Sequence, residues 1–176
     1  MTATDLLDEL KNELDILFAD YTLQNKDGDL QHLRIFTQYT PQPSAITIND
    51  RASGLKNYTE SDFEANFPCI IIQFIESTDN EERRLEMTTL NVRFLFGIYD
   101  KAPDCQGWRD ILNMIEIVRQ EFLTRRYLAE KFRLNMPVKS RLVDSDTWPV
   151  YFGEMDLVYE TGRASMPAEF VHRRRG

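Results

Sequence analysis

The amino-acid sequence predicts an α+β domain in which an antiparallel β-sheet carries two main α-helices on one face. Two segments, far apart in the chain, show the three- and four-residue spacing of apolar side chains that is typical of amphipathic helices. The segments between and after them are β-branched or alternate in polarity, which predicts strands. Because the connections between these strands suit hairpins, we expect antiparallel pairing with the helices against one face.

The first helix is predicted from Asp5 to about Leu23. Thr4 is a suitable N-cap, and acidic residues in the first turn complement the positive end of the helix dipole. The polar run that contains Gly28 supplies the end of the helix. The predicted apolar stripe comprises Leu6, Leu7, Leu10, Leu14, Leu17, Phe18 and Tyr21.

Residues 24–66 form a long connection with little secondary-structure signal. Its one strand-like run is Leu33 to Tyr39. A connection of this length is unusual inside a compact domain. We therefore expect residues 24–66 to act as a loop or arm, either binding a partner or becoming ordered on assembly.

Two strands joined by a charged turn are predicted next. The first, Cys69 to Ile75, is short and β-branched, and the second alternates apolar and polar side chains from Leu90 to Ile98. The turn between them, Glu76 to Arg84, is too charged for a core. We therefore expect its residues to contact a neighbouring subunit or another protein, the candidates being Glu81, Glu82, Arg83 and Arg84.

The second helix is predicted to open at Pro103 and Asp104 and to end at Arg125, where a cation suits the negative pole of the helix. Trp108 and Phe122 are predicted to be core residues, because they share one stripe with aliphatic side chains. That stripe comprises Trp108, Ile111, Leu112, Ile115, Val118, Phe122 and Leu123.

After this helix, Tyr127 to Phe132 are predicted to add a helical turn, followed by a strand from Leu134 to Leu142 and a last strand from Tyr151 to Glu160. Trp148 and Tyr151, at the start of the last strand, suit a core and an exposed interface equally well. The last strand places Met155, Leu157 and Tyr159 on one side and Glu154, Asp156 and Glu160 on the other.

Length and composition predict one soluble domain over residues 1–176, ending in a flexible basic tail at 161–176. The chain has 29 Asp and Glu against 21 Lys and Arg, which disfavours an extended surface for nucleic acid or anionic membrane. Two cysteines are too few for a disulfide scaffold, and no apolar run is long enough to span a bilayer. We expect synthesis in the cytosol.

Residues able to support catalysis are sparse, and the sequence predicts neither an enzyme nor a metal or cofactor site. His32 and His172 lie in no motif that positions a nucleophile, and no phosphate-binding glycine loop or paired-cysteine motif is present. The run from Asn25 to Asp29 is better explained as a turn than as a calcium loop. The same holds for the run from Asp144 to Asp146, although a cation site or an acid/base pair there is the alternative.

From Phe67 onward the order and spacing of several elements resemble the tail-terminator, or tail-completion, proteins of tailed bacteriophages. An aromatic-Pro step leads into a hydrophobic strand, and a charged turn and an alternating strand ending near Tyr99-Asp100 follow. The helix that begins Trp108-Arg109-Asp110-Ile111-Leu112 comes next, and the pattern closes with Phe132-x-Leu134 and Pro149-x-x-x-Gly153. The match covers Asp5 to Leu23 loosely and Phe67 to Glu160 more closely.

The resemblance implies a virion structural protein, assembled in the host cytoplasm, that forms a ring, usually a hexamer. The ring would cap the head-proximal end of the tail tube, stop its polymerisation and join the tail to the neck. Its implied partners are the tail-tube protein, the neck or head-tail connector protein and, if the tail is contractile, the sheath protein.

DNA would only pass through the lumen of such a ring, where Glu154, Asp156 and Glu160 are candidates for a negative band that repels phosphate. An ordinary solvated sheet face is the other explanation of these carboxylates. Two alternatives to the terminator role remain open, a different connector protein of the same virion and a small hydrolase.

Overall fold

The computed structural model describes residues 2–24, 30–41, 66–82, 85–143 and 148–162. Over these residues the predicted α+β class is confirmed, with two helices and a mostly antiparallel sheet. No helix in the described ranges is long and apolar enough to cross a bilayer. The elements in chain order are α1 Ala3–Leu17, β1 Thr22–Gln24, β2 Leu30–His32, β3 Arg34–Thr37, β4 Cys69–Glu82, β5 Leu85–Tyr99, α2 Gly107–Thr124, β6 Tyr127–Leu128, β7 Phe132–Leu142 and β8 Val150–Gly162.

Six strands form the main sheet in the order β3-β4-β5-β8-β7-β6, and β1 and β2 form a separate antiparallel pair. The central pairs β4/β5 and β5/β8 are long and antiparallel. The sheet departs from the fully antiparallel prediction at one edge, where β3 pairs with β4 in parallel from Arg34/Cys69 to Thr37/Ile72. A parallel neighbour is possible there because the chain makes a long crossover between β3 and β4.

Both helices pack on one face of the sheet, as predicted. Leu6, Leu10 and Leu14 of α1 join the same buried cluster as the α2 residues. The α2 stripe packs mainly on β8 and β5, and α1 packs on β3 and β4. The shared core contains Ile70, Ile72, Leu90, Val92, Phe94, Phe96, Ile111, Met114, Ile115, Val118, Met155, Leu157 and Tyr159.

The first helix begins earlier and ends earlier than the sequence predicts. Thr2, not Thr4, is the N-cap: its hydroxyl accepts the N–H of Asp5, and the Asp5 carboxylate accepts the N–H of Thr2 at 2.8 Å. This reciprocal capping box satisfies two backbone donors that would otherwise lack helical partners. The helix ends at Leu17, because the following residues turn and then pair as a strand from Thr22.

The hairpin of β4 and β5 is longer than predicted. The prediction of a charged turn from Glu76 to Arg84 is wrong for Glu76 to Glu82, which belong to β4. Residues from Glu76 to Glu82 continue β4 and pair with β5 as far as Leu85. A bulge between Phe74 and Glu76 shifts the register by one residue, and regular pairing resumes beyond it. Cross-strand pairing therefore overrides the weak strand propensity of the charged residues.

Two further predictions about this half of the chain are wrong. Tyr127 and Leu128 form β6, not a helical turn, because they pair with Arg133 and Phe132 across a tight turn. Trp108 is 37% exposed and does not belong to the α2 core stripe. Phe122, predicted with it, is buried and packs edge-on against Phe94. The strands predicted from Leu134 and from Tyr151 correspond to β7 and β8.

Several predicted features lie outside the described residues. They are the turn at 25–29, the larger part of the predicted arm (42–65), the pair Asp144 and Asp146, and the basic tail from 163 with His172.

Candidate interaction surfaces

The face of the sheet opposite the helices has an apolar half and a charged half. We call it the second face; it carries the odd-numbered residues of β5 and the even-numbered residues of β8. Register places Tyr99 beside Val150 at one end of this face and Arg93 beside Asp156 near its middle. Because side chains alternate along a strand, these residues point away from the α1/α2 core.

The apolar half is a small cluster built on Phe67, Cys69 and Val150, with Phe152 and Tyr99 packed against it. The Phe67 ring lies 6.2 Å from the Phe152 ring and 6.3 Å from the Tyr99 ring. Glycine at position 97 makes room for this packing, because a Cβ there would lie 2.7 Å from Phe67 Cε1. Burial raises the pKa of the Cys69 thiol to about 12, so this cysteine is an inert core residue.

The charged half is a four-residue ion-pair network across β5, β8 and β7. Arg93 Nε donates to Asp156 Oδ1 at 2.7 Å, and Arg93 also lies 3.6 Å from Glu154. Arg141 donates to Glu154 and lies 3.7 Å from Asp156. The hydrogen bond to Asp156 raises the pKa of the Arg93 guanidinium. The network places two cations against two carboxylates, so its formal charge is zero.

This network changes the interpretation of the proposed lumen residues. The structure brings Glu154 and Asp156 together on one face, as predicted for alternate residues of one strand. They do not form an unpaired negative band, because Arg93 and Arg141 neutralise them. Glu160 lies farther along the same face of β8, where its register partners are Thr89 and Arg133.

The interface candidates at the start of β8 have different environments. Trp148 is 52% exposed, as an interface anchor would be. Tyr151 is half-buried, and its ring lies so close to Gly107 that a Cβ there would be 2.5 Å from Tyr151 Cδ2. Trp108 follows Gly107, with the Arg109 guanidinium 5.3 Å from its ring centroid. Trp148 is therefore a surface residue, and Tyr151 holds the start of α2 against the sheet.

The outer end of the β4/β5 hairpin is a further candidate surface. From Ile75 to Asp79 every side chain of β4 is exposed, on both faces of the strand. Polar side chains link the two strands there, with Asn91 Nδ2 donating to Glu76 Oε1 and Thr88 Oγ1 donating to Asp79 Oδ1, each at 2.7 Å. Glu81 and Glu82 are the last residues of β4; the placement of their side chains and of Arg83 and Arg84 lies outside the described part.

Of the residues considered for catalysis, His32 is the one that lies in the described part of the chain. His32 is exposed on β2. Within the described ranges no three His, Cys, Asp or Glu side chains are grouped as metal ligands would be. Asp110 at the start of α2 is not among the predicted site residues. Burial and the charge of Asp100 raise the pKa of its carboxyl group. Its only sequence signal is its place in the first helical turn.

No protein-family model matches the chain, and no curated protein matches it significantly.

Proposed function

We propose that this protein is a virion structural protein that forms a ring on the head-proximal end of a bacteriophage tail tube. The ring ends tube polymerisation and joins the tail to the neck. The elements that carry the resemblance support this proposal by their arrangement. The Phe67-Pro68 step enters β4, Trp108 to Leu112 begin α2, and Gly153 lies under α2 on β8.

The observation that carries the proposal is the exposed outer half of β4. From Ile75 to Asp79 the side chains on both faces of β4 are exposed, and Ile75 is 51% exposed. A strand segment that buries neither face gains little hydrophobic stabilisation within its own subunit. Such a segment is expected in a subunit whose function depends on contacts with other proteins, and it is not needed around a buried catalytic cleft.

The second face is also compatible with DNA passage if it lines the lumen. Phosphate binding requires available cations. Arg93 and Arg141 are engaged by Glu154 and Asp156, so these two guanidinium groups are not available to phosphate. A lumen lined by this network would neither hold DNA nor strongly repel it.

The proposed mechanism follows from how tubes grow. Each ring of tube protein presents an upper face that binds the next identical ring, so growth is open-ended unless that face is covered. A capping ring binds the upper face with one of its surfaces and presents a different surface above. Tube subunits then have no partner surface, and the neck protein binds in their place. In a contractile tail the cap would contact the sheath as well.

Deletion of the gene tests the proposal. Particles made without the protein should carry tails of irregular and often excessive length that do not join heads. Addition of purified protein to such extracts should restore joining. Tails of normal length that still attach to heads would refute the terminator role. Tails of normal length that fail to attach would indicate a different connector protein of the same virion.

A further inference from the structure

Each side of the main sheet ends in an edge that is only half covered. On the β4 side, β3 pairs with Cys69 to Ile72, and Gln38 Oε1 then accepts the Phe74 N–H at 3.0 Å. Beyond this point, residues 75–82 of β4 have no second strand beside them in the described part of the chain. Their outward backbone groups form a template for another strand.

On the opposite side, β6 pairs only with Phe132 and Arg133 of β7, and the Leu134 N–H donates to Arg126 O at 2.8 Å. Residues 136–142 of β7 then have β8 on one side and no described strand on the other. Pro137 lacks an N–H, and the ladder to β8 is irregular between Asn135 and Lys139. The regular part of this bare edge is therefore Lys139 to Leu142.

The two bare edges have opposite charge. Glu76 and Asp79 are exposed on the β4 edge, whose sequence continues with Glu81 and Glu82. Lys139 and Arg141 are exposed on the β7 edge. Arg141 is already paired with Glu154, whereas Lys139 makes no ion pair within the described residues. Opposite charges on facing strands favour pairing, and like charges oppose it.

We propose that the bare half of β4 in one copy of this chain pairs with the bare half of β7 in the next copy, forming a continuous antiparallel sheet between subunits. This contact is heterologous, because two different edges meet, so repetition generates a ring if the rotation closes. The inference rests on the proposed function in one respect: it supplies the subunit contact of the proposed ring.

The covered halves of the two edges do not obstruct this joint. β3 covers the start of β4, whereas β6 covers the start of β7, and β4 and β7 run in opposite directions in the sheet. When the bare halves overlap, β3 lies at one end of the joint, beside the start of β4. The neighbour's β6 lies at the other end, past the last residues of β4. The bare lengths also match, at eight residues (75–82) and seven residues (136–142).

Backbone direction selects the register. The Val143 N–H donates to Phe152 O at 3.0 Å, so by alternation Ser140 directs its backbone groups away from β8. On β4, the Phe74 N–H points away from β5, because it donates to Gln38 Oε1. Counting across the one-residue bulge, the backbone N–H and C=O of Ser77 also point away from β5. Pairing Ser77 with Ser140 sets Glu76 opposite Arg141. The next subunit is then displaced by about four residues, or ~13 Å, along the strands.

Cysteine cross-linking tests the joint in the full-length protein. Ser77 and Ser140 are exposed and lie on the helix-bearing side of the sheet, opposite Leu90 and Met155 of their own subunit. Facing residues in a hydrogen-bonded antiparallel pair have Cα atoms about 5.5 Å apart, within disulfide reach. Both substitutions are made in a Cys105→Ser background, because Cys105 is exposed and Cys69 is buried.

The expected result is that Ser77→Cys and Ser140→Cys proteins cross-link under mild oxidation when mixed, and that neither cross-links alone. The double variant should form a ladder of covalent oligomers. Cross-linking of Ser77→Cys with itself, or no cross-link in the mixture at concentrations up to about millimolar, would overturn the proposal.

Charge reversal provides a second readout that does not depend on oxidation. Lys139→Glu and Glu76→Lys should each weaken self-association at least about fivefold, because attraction between the edges becomes repulsion. Glu76→Lys should have the larger effect, because in this register it sets a second cation directly opposite Arg141. Lys131→Glu is the matched control, since Lys131 is exposed just before β7 and outside the bare edge. Equal weakening by Lys131→Glu, or unchanged self-association in both edge variants, would contradict the joint.

The two proposals fail separately. A heterotypic cross-link in a protein whose deletion leaves tails normal would retain the joint and remove the terminator role. Overlong tails on deletion, with self-association indifferent to both edges, would retain the role and remove the joint.

Discussion

At the scale of single residues, glycine at position 153 allows α2 to approach β8. A Cβ on Gly153 would collide with Ile111 Cγ2 and would lie 2.9 Å from Ile115 Cδ1, so the two elements meet without a side chain between them. The backbone at Gly153 is not in the left-handed region, so the requirement for glycine is one of space alone. Interiors packed at crystal density have little capacity to absorb an extra methyl group.

Gly153→Ala should therefore lower the free energy of unfolding by about 1–3 kcal/mol through overpacking. Gly162→Ala is the matched control, because a Cβ on Gly162 meets nothing within 4 Å. Urea denaturation of the two variants measures the difference. Equal stability of Gly153→Ala and wild type would mean that α2 lies farther from β8 than described.

At the scale of elements, α2 divides cleanly into a buried side and a solvent side. Ile111, Met114, Ile115, Val118 and Phe122 are buried against the sheet. On the other side Arg119 pairs with Glu116 at 3.2 Å, and both side chains are about half exposed. The same spacing places Leu112 at 41% exposure, on the margin of the stripe.

Ile115→Asp should unfold the domain or destabilise it by about 4 kcal/mol or more, because it buries a charge without a partner. Arg119→Ala should change stability by less than about 0.5 kcal/mol, since exposed ion pairs contribute little. Thermal unfolding followed by circular dichroism compares them. Similar melting temperatures for Ile115→Asp and wild type would show that α2 is wrongly placed.

At the scale of the whole molecule, folding and assembly are expected to depend on different aromatic residues. Trp148 is more than half exposed, whereas Tyr151 supports Gly107 at the start of α2. Aromatic side chains that remain on the surface are frequent anchors of protein interfaces. We therefore expect Trp148 to contribute to assembly and Tyr151 to contribute to folding.

Trp148→Ala should leave the melting temperature close to wild type and reduce head-tail joining in extracts at least about tenfold, as expected for an interface anchor. Tyr151→Ala should instead lower stability by about 2–3 kcal/mol through lost packing. Both are measured on the purified full-length protein. Full joining activity of Trp148→Ala would remove Trp148 from the interface, and a large fall in its melting temperature would make it a structural residue.

The sequence by itself determined the features that repeat along one element. Strict alternation in β5 predicted its faces correctly, because period and burial are directly linked in a single strand or helix. The helical stripe in α2 predicted its buried face except at Trp108 and Leu112, which are exposed. The alternation in β8 likewise placed Glu154 and Asp156 on the side away from the helices. The α+β class followed from the order of these elements.

Only the tertiary structure decided the features that depend on contacts between distant elements. The charged outer half of β4 is a strand because β5 pairs with it, although its own composition favours a turn. Arg93 neutralises Asp156 across 63 residues of sequence because β5 and β8 become neighbours in the sheet. Strand order also leaves the acidic and basic edges on opposite sides. Local periodicity encodes which way a side chain points, whereas its partner is chosen by the packing of the whole chain.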